Sequence, residues 1–289
     1  MNNMLKTTII AGFAAALCSA SYAAEAAAEA APANPVSPYF TGVTQPSMDR
    51  LSASVSFGFE SEYVFRGKKE ASDSFQPEVA VSYAMGENWG VYTSVWNNSP
   101  LKNSDFNETD INIGATYSIA AFTIDAGYTY YWYNDVKNGG FAATNELKAG
   151  LNYDSTELLG RVSSVLADLS ITPSVYYYYD FDRMANTVEL AVFSSVPVTK
   201  WMFGEDKDFL SVDTSVFYGW TSSDRSKSGG VISRSTNSYS YGGVTADLVW
   251  KVNSICRAAV GIRWAMNNDD AWGNDEQLLW YGASVSLGF

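Results

Sequence analysis

From Leu51 onward the chain alternates apolar residues with small or polar ones over stretches of about ten, and a period of two belongs to strands, not helices. The final stretch is the cleanest. Leu279, Tyr281, Ala283, Val285, Leu287 and Phe289 point one way, and Trp280, Gly282, Ser284, Ser286 and Gly288 point the other. Leu51, Ala53, Val55, Phe57 and Phe59 alternate in the same manner with Ser52, Ser54, Ser56, Gly58 and Glu60. Further runs include Ile111 to Ile119, Phe122 to Trp132, Val212 to Trp220 and Ala258 to Trp264.

The periodicity predicts about twelve strands, beginning near residues 51, 75, 89, 109, 121, 144, 170, 186, 209, 239, 254 and 279. An even number suits a single-chain antiparallel barrel closed on itself. Short turns at Gly86-Glu87-Asn88, Ala120 and Asn253 are expected on one rim. Longer loops at 67–74, 98–108, 134–143, 222–238 and 267–278 are expected on the other. The connections near 155–169 and 197–208 are long where short turns belong.

A soluble barrel would turn its apolar face inward and carry charge outside. Here the polar face is mainly Ser, Gly, Thr and Asn, and the apolar face carries almost no charge, so the inverted arrangement fits: apolar side chains towards lipid, polar ones around a lumen. Aromatic residues at strand ends read as interfacial girdles: Phe59, Tyr63 and Phe65, Tyr128, Tyr130 and Trp132, Tyr218 and Trp220, Trp250, and Trp264. The expected fold class is therefore all-β, a closed antiparallel transmembrane barrel over residues 51–289.

The N-terminus reads as an address. Lys6 precedes an apolar run from Ile9 to Cys18, and Ser21-Tyr22-Ala23 supplies small residues for cleavage, so residues 1–23 are expected to be a signal peptide. Residues 24–50, rich in Ala, Pro and Glu, read as a periplasmic linker. Loss of Cys18 with the signal leaves Cys256 alone, which excludes an internal disulfide.

A net charge of −13 argues against nucleic-acid partners, whose phosphates require neutralisation by Lys and Arg. The absence of histidine removes Ser-His-Asp and Cys-His relays and His-ligated metals, so no enzyme, no cofactor and no metal site are expected. The oxygen-rich segment Asn267-Asn268-Asp269-Asp270 with Asn274-Asp275-Glu276 lacks the spaced Asp and central Gly of a calcium loop and reads as solvated surface.

With the apolar set facing lipid, the lumen is expected to be lined by Glu60, Glu62, Glu78, Asp110, Asp125, Glu146, Asp180, Glu189, Asp213 and Asp247, against Arg66, Lys148, Arg257 and Arg263. Ten acids to four bases predict mild cation selectivity. The alternative is that these charges pair across the barrel and brace it. Tyr92, Trp96, Tyr131, Tyr133, Tyr176, Tyr178 and Trp280 are expected on the same inward face, as lumen filler or as platforms for solutes. Phe289, a terminal aromatic on an alternating strand, reads as an assembly signal for the barrel insertion machinery.

One stretch goes beyond periodicity: Glu60-Ser61-Glu62-Tyr63-Val64-Phe65-Arg66-Gly67, then Gln76-Pro77, Gly90-Val91-Tyr92 with Trp96, and Asp125-Ala126-Gly127-Tyr128-Thr129-Tyr130-Tyr131-Trp132-Tyr133. Over residues 54–150 it resembles the TorF-type porin family. Asn134-Asp135 stands where that family commonly has Pro-Gly. The resemblance implies an outer-membrane protein with a porin-like role, in which Tyr63, Arg66, Gly67 and Gln76 match family positions and Arg66 is available to pair an acid.

The expected function is passive diffusion of small hydrophilic solutes or ions across the outer membrane of a Gram-negative bacterium, with outer-membrane lipid and the insertion machinery as partners. The alternative is a non-conducting structural or adhesion barrel acting through its extracellular loops. Solute identity and oligomeric state are not legible in the sequence.

Overall fold

The computed structural model describes residues 50–102, 106–134, 141–162, 168–204, 209–228, 231–268 and 277–289. The signal segment, nearly all of the linker and residues 269–276 lie outside them.

The twelve strands are β1 (Leu51–Phe65), β2 (Lys68–Met85), β3 (Trp89–Pro100), β4 (Glu108–Ile119), β5 (Phe122–Tyr133), β6 (Ala143–Tyr153), β7 (Ser170–Asp180), β8 (Ala185–Val196), β9 (Leu210–Ser228), β10 (Val231–Lys251), β11 (Cys256–Asn267) and β12 (Gln277–Gly288). Each pairs antiparallel with its sequence neighbours, and β12 pairs with β1 to close the barrel. At the closure Ala53 and Phe289 exchange both backbone hydrogen bonds, so Phe289 is the last rung of the seam. The two long connections on the turn side each hold a short helix, α1 (Thr156–Val162) and α2 (Val198–Phe203).

Alternation sets the two faces. Ile262 is 63% exposed and the adjacent Arg263 only 7%. Leu279, Ile113, Leu190 and Val216 are exposed like Ile262, and no charged residue stands on the outward positions of β4, β5, β8 or β11. Water would penalise such a band at about 25 cal/mol per Å² of apolar surface, whereas acyl tails would not. Closure satisfies every ladder hydrogen bond within that band.

Four expectations change. Residues 67–74 are not a loop: β1 turns directly into β2 at Arg66 and Gly67, both with positive φ. The segment 222–238 is mostly strand, because β9 and β10, at 19 and 21 residues, run on as a paired ribbon past the ends of the other strands. Tyr63 and Phe65 do not join the outer girdle. A register shift between Tyr63 and Val64 breaks the alternation, and Tyr63 is buried against Trp96. Leu287 is also buried, at the seam opposite Val55 and the fully buried Cys256.

Inside the barrel the glycines are slots. Gly114, Gly150 and Gly219 directly oppose Tyr92, Tyr176 and Tyr241 on the neighbouring strand, and each tyrosine ring lies across its glycine so closely that a Cβ there would come within 2.2 Å of it. The missing side chain lets a large one lie flat on the wall.

Candidate functional site: the barrel interior

The inward polar residues fall into two groups. One is a packed half formed mainly by β3 to β8. Asp125 accepts hydrogen bonds from Tyr92 (2.8 Å) and Tyr176 (3.2 Å) and pairs with Lys148 at 3.2 Å. Glu189 accepts from Tyr241 at 2.8 Å. Asp180 accepts from the backbone N–H groups of Asp182 and Arg183 and so caps the β7–β8 turn. Asp110 is buried beside Glu108, which itself accepts from Tyr63 at 2.9 Å. Tyrosine hydroxyls thus serve most of the carboxylates on this side. Such hydrogen bonds to charged groups contribute about 1.5–3 kcal/mol each, which is how the charges tolerate burial.

The second group lies along β9 to β12 and the lower part of β1, and it borders open space. Arg263 pairs with Glu60 (Nε to Oε1, 3.0 Å) and Asp247 (Nη2 to Oδ1, 2.9 Å), and Trp280 donates its indole N–H to Glu60 at 3.0 Å. Asp213 accepts from Ser195 (2.6 Å) and Ser211 (3.0 Å). Glu60, Asp213, Asp247 and Arg263 border a cavity of about 90 Å³ that continues between Ser56, Ser284 and Ser286, enough space for a few water molecules. Arg263 Nη1 has no hydrogen-bond partner among the described residues. A smaller space of about 20 Å³, also bordered by Glu60, Gln76 and Arg263, reaches up to Tyr63, Gly67 and Trp280. Arg257 sits near the turn-side end of this wall, opposite Ser286, and Glu78 stands inside opposite Ser56 and Trp96.

Between the two halves lies the tip of the first hairpin. Pairing of β1 with β12 stops at Glu60↔Gly282, and pairing of β2 with β3 starts at Ser74↔Pro100. Residues 62–72 therefore have ladder partners only in one another, while at the two ends Ser61 Oγ accepts from the Tyr281 N–H (3.1 Å) and Asp73 O from the Leu101 N–H (2.8 Å). Their side chains reach strands that no wall segment at this position could touch. Arg66 Nη2 donates to both oxygens of Glu146 on β6 (3.0 and 2.9 Å), and its guanidinium lies over Tyr178 on β7. Lys68 Nζ stands 4.0 Å from the ring centre of Tyr239 on β10. Asn267 on β11 donates to Gly67 O at 2.8 Å, and Val64 packs against Ala265 and Trp280. The hairpin tip is folded into the lumen. Within it, Glu62 is held by Lys69 (2.6 Å) and Ser72 (2.8 Å).

Of the inward charges, Glu60 meets Arg263, whereas Arg66 crosses to Glu146 and Glu62 pairs with Lys69 within the hairpin tip. Sequence reasoning missed Glu108 and Arg183, whose Nη2 donates to Tyr133 at 3.1 Å. Glu108 was within reach, since it stands two positions before Asp110 and shares its face. Arg183 lies in a turn, where periodicity carries no information.

A family described as "Bacterial protein of unknown function (Gcw_chp)" matches residues 44–216. No curated protein matches the sequence. Among solved structures, the COG4313 outer membrane channel from Pseudomonas putida F1 is 8% identical, with 85% of this chain and 100% of that one covered and a TM-score of 0.47. The KdgM porin is 12% identical (82% and 99% covered, TM-score 0.45), and the NanC porin 9% (82% and 98%, TM-score 0.44). Values this low say nothing of cargo.

Proposed function

The chain belongs to the Gcw_chp family, whose members have no assigned activity, and from the barrel itself we propose that it is a porin-like channel of a Gram-negative outer membrane. It passes small hydrophilic solutes or ions by passive diffusion and is mildly cation-selective. The observation that carries this reading is the water-sized space bordered by Glu60, Asp213, Asp247 and Arg263, inside a closed wall whose outer face is apolar. Three carboxylates to one guanidinium favour cations. The motif from Glu60 to Gly67 supports placing the chain near the TorF-type porins, and a terminal aromatic such as Phe289 supports recognition by the insertion machinery.

Reversal potentials across planar bilayers holding a KCl gradient test this. The wild-type protein is expected to favour K⁺ over Cl⁻, and the triple variant Glu60→Gln, Asp213→Asn, Asp247→Asn to lose that preference or reverse it, because Arg263 then stands alone. An unchanged ratio removes these carboxylates from the permeation path. One observation favours a second reading, the non-conducting structural or adhesion barrel: the inward hairpin tip reaches across the lumen to β6, β7, β10 and β11. Absence of any conductance, in wild type and variants alike, would select it.

A further inference from the structure

We propose that the tip of the first hairpin, residues 61–73, is a hinged plug that controls passage through the lumen, held shut by the contact of Arg66 with Glu146. The proposal rests on the channel reading above and adds a moving part to it.

Three features single out this segment. First, between its ends it is free of the wall's ladder: it lies between β12 and β3, yet the ladder with β12 stops at Glu60 and the ladder with β3 starts at Ser74. Withdrawing the part between its two ends breaks no rung of the barrel's own ladder; the ends themselves stay tied, Ser61 Oγ accepting from the Tyr281 N–H and Asp73 O from the Leu101 N–H. A plug made from a wall strand would have to unzip its neighbours. Second, it has a built hinge. The hairpin ladder skips the Ser61–Asp73 step, between Glu60↔Ser74 and Glu62↔Ser72, and Asp73 holds φ at +48°, a conformation non-glycine residues seldom adopt. Hinges use a few such positions to absorb a change of direction. Third, the charged and hydrogen-bonding contacts that seat the tip can be exchanged for water, Arg66 on Glu146, Lys68 over Tyr239, Asn267 on Gly67 O and Tyr63 on Glu108, leaving the apolar contacts of Tyr63 with Trp96, Val64 with Ala265 and Phe65 with Tyr131 to be broken.

The tip also stands where a plug would matter. Tyr63, Val64 and Gly67 form one side of the 20 Å³ space that extends the Glu60–Arg263 cavity away from the terminal rim. With the tip seated, that space ends against it. With the tip withdrawn, the cavity would open towards the loop-side mouth.

Two measurements on the full chain, reconstituted in lipid, test the proposal. In bilayers, Arg66→Ala and Glu146→Gln are each expected to raise the mean single-channel current at least threefold over wild type, and Arg66→Lys to stay near wild type. Independently of conduction, spin labels at Lys69→Cys and Asn186→Cys, in a background with Cys18 and Cys256 replaced by Ala, report the tip's distance from β8. That distribution is expected to gain a separate population, displaced by several ångström, when Arg66→Ala is added. Heat-modifiable gel mobility identifies preparations that have folded, and Glu146→Gln, which keeps the acceptor for Tyr131, serves as the milder second variant. A displaced label population without current supports the plug and refutes the channel reading. Unchanged distances together with unchanged currents in both Arg66→Ala and Glu146→Gln overturn the plug, whatever the wild type conducts.

Discussion

Ile262→Arg is expected to lower the population of inserted, folded barrel roughly 30-fold or more, the equivalent of about 2 to 4 kcal/mol for an arginine facing the middle of a bilayer. Ile262 stands near the centre of β11, 63% exposed, opposite Ala246 and the equally outward Tyr281. Its outward neighbours Ala246, Tyr281, Val260 and Trp264 carry no charge to receive the arginine, and snorkelling to either interface must span about half the strand. Urea titration in lipid vesicles, followed by tryptophan fluorescence and gel mobility, measures the loss. Ser284→Thr, on the inward face of β12, should leave the midpoint within about 0.5 kcal/mol of wild type. Equal damage from the two substitutions would mean that the faces are assigned the wrong way round.

Gly150→Val should destabilise the folded barrel by about 1 to 3 kcal/mol, through crowding and not through strand propensity. A Cβ at Gly150 would lie 2.2 Å from the ring of Tyr176, which is buried and tied by its hydroxyl to Asp125 and Asn152. The ring cannot turn aside without leaving Asp125 to Lys148 and Tyr92 alone. Valine is a better strand former than glycine, so propensity by itself predicts the opposite sign. Ala149→Val, one residue away on the exposed face, isolates that term and is expected to be neutral or slightly stabilising. If both valines behave alike in the same urea titration, the glycine slot is not a packing element.

The strands were legible because each is a local statement: a run of alternating residues specifies a strand and its two faces without reference to any partner. The twelve expected starts differ from the observed ones by one or two residues at most positions. The larger gaps are at β2 and β10, where polar residues that read as loops are strand. Lys68 to Ser74 is mostly charge and serine, and Ser233 to Ser238 pairs with the equally polar Ser222 to Ser226, so neither segment carries an apolar alternation to detect. The departure of the hairpin tip from the wall left no cue either: Tyr63, Val64 and Phe65 are three consecutive apolar residues, but so are Tyr131, Trp132 and Tyr133, which stay in the wall with Trp132 exposed between two buried tyrosines.

By itself the sequence determined an all-β barrel with its apolar face outward and its carboxylates within, because the period of two and the chemistry of each face are properties of neighbouring residues. Which interior charges meet was decided only by closure and by the inward turn of the first hairpin. Arg66 and Glu146 are 80 residues apart, on opposite walls, and no spacing in the chain relates them. The same turn divides the lumen into a packed half and an open half. That division depends on distances across a space that exists only once β12 has paired with β1.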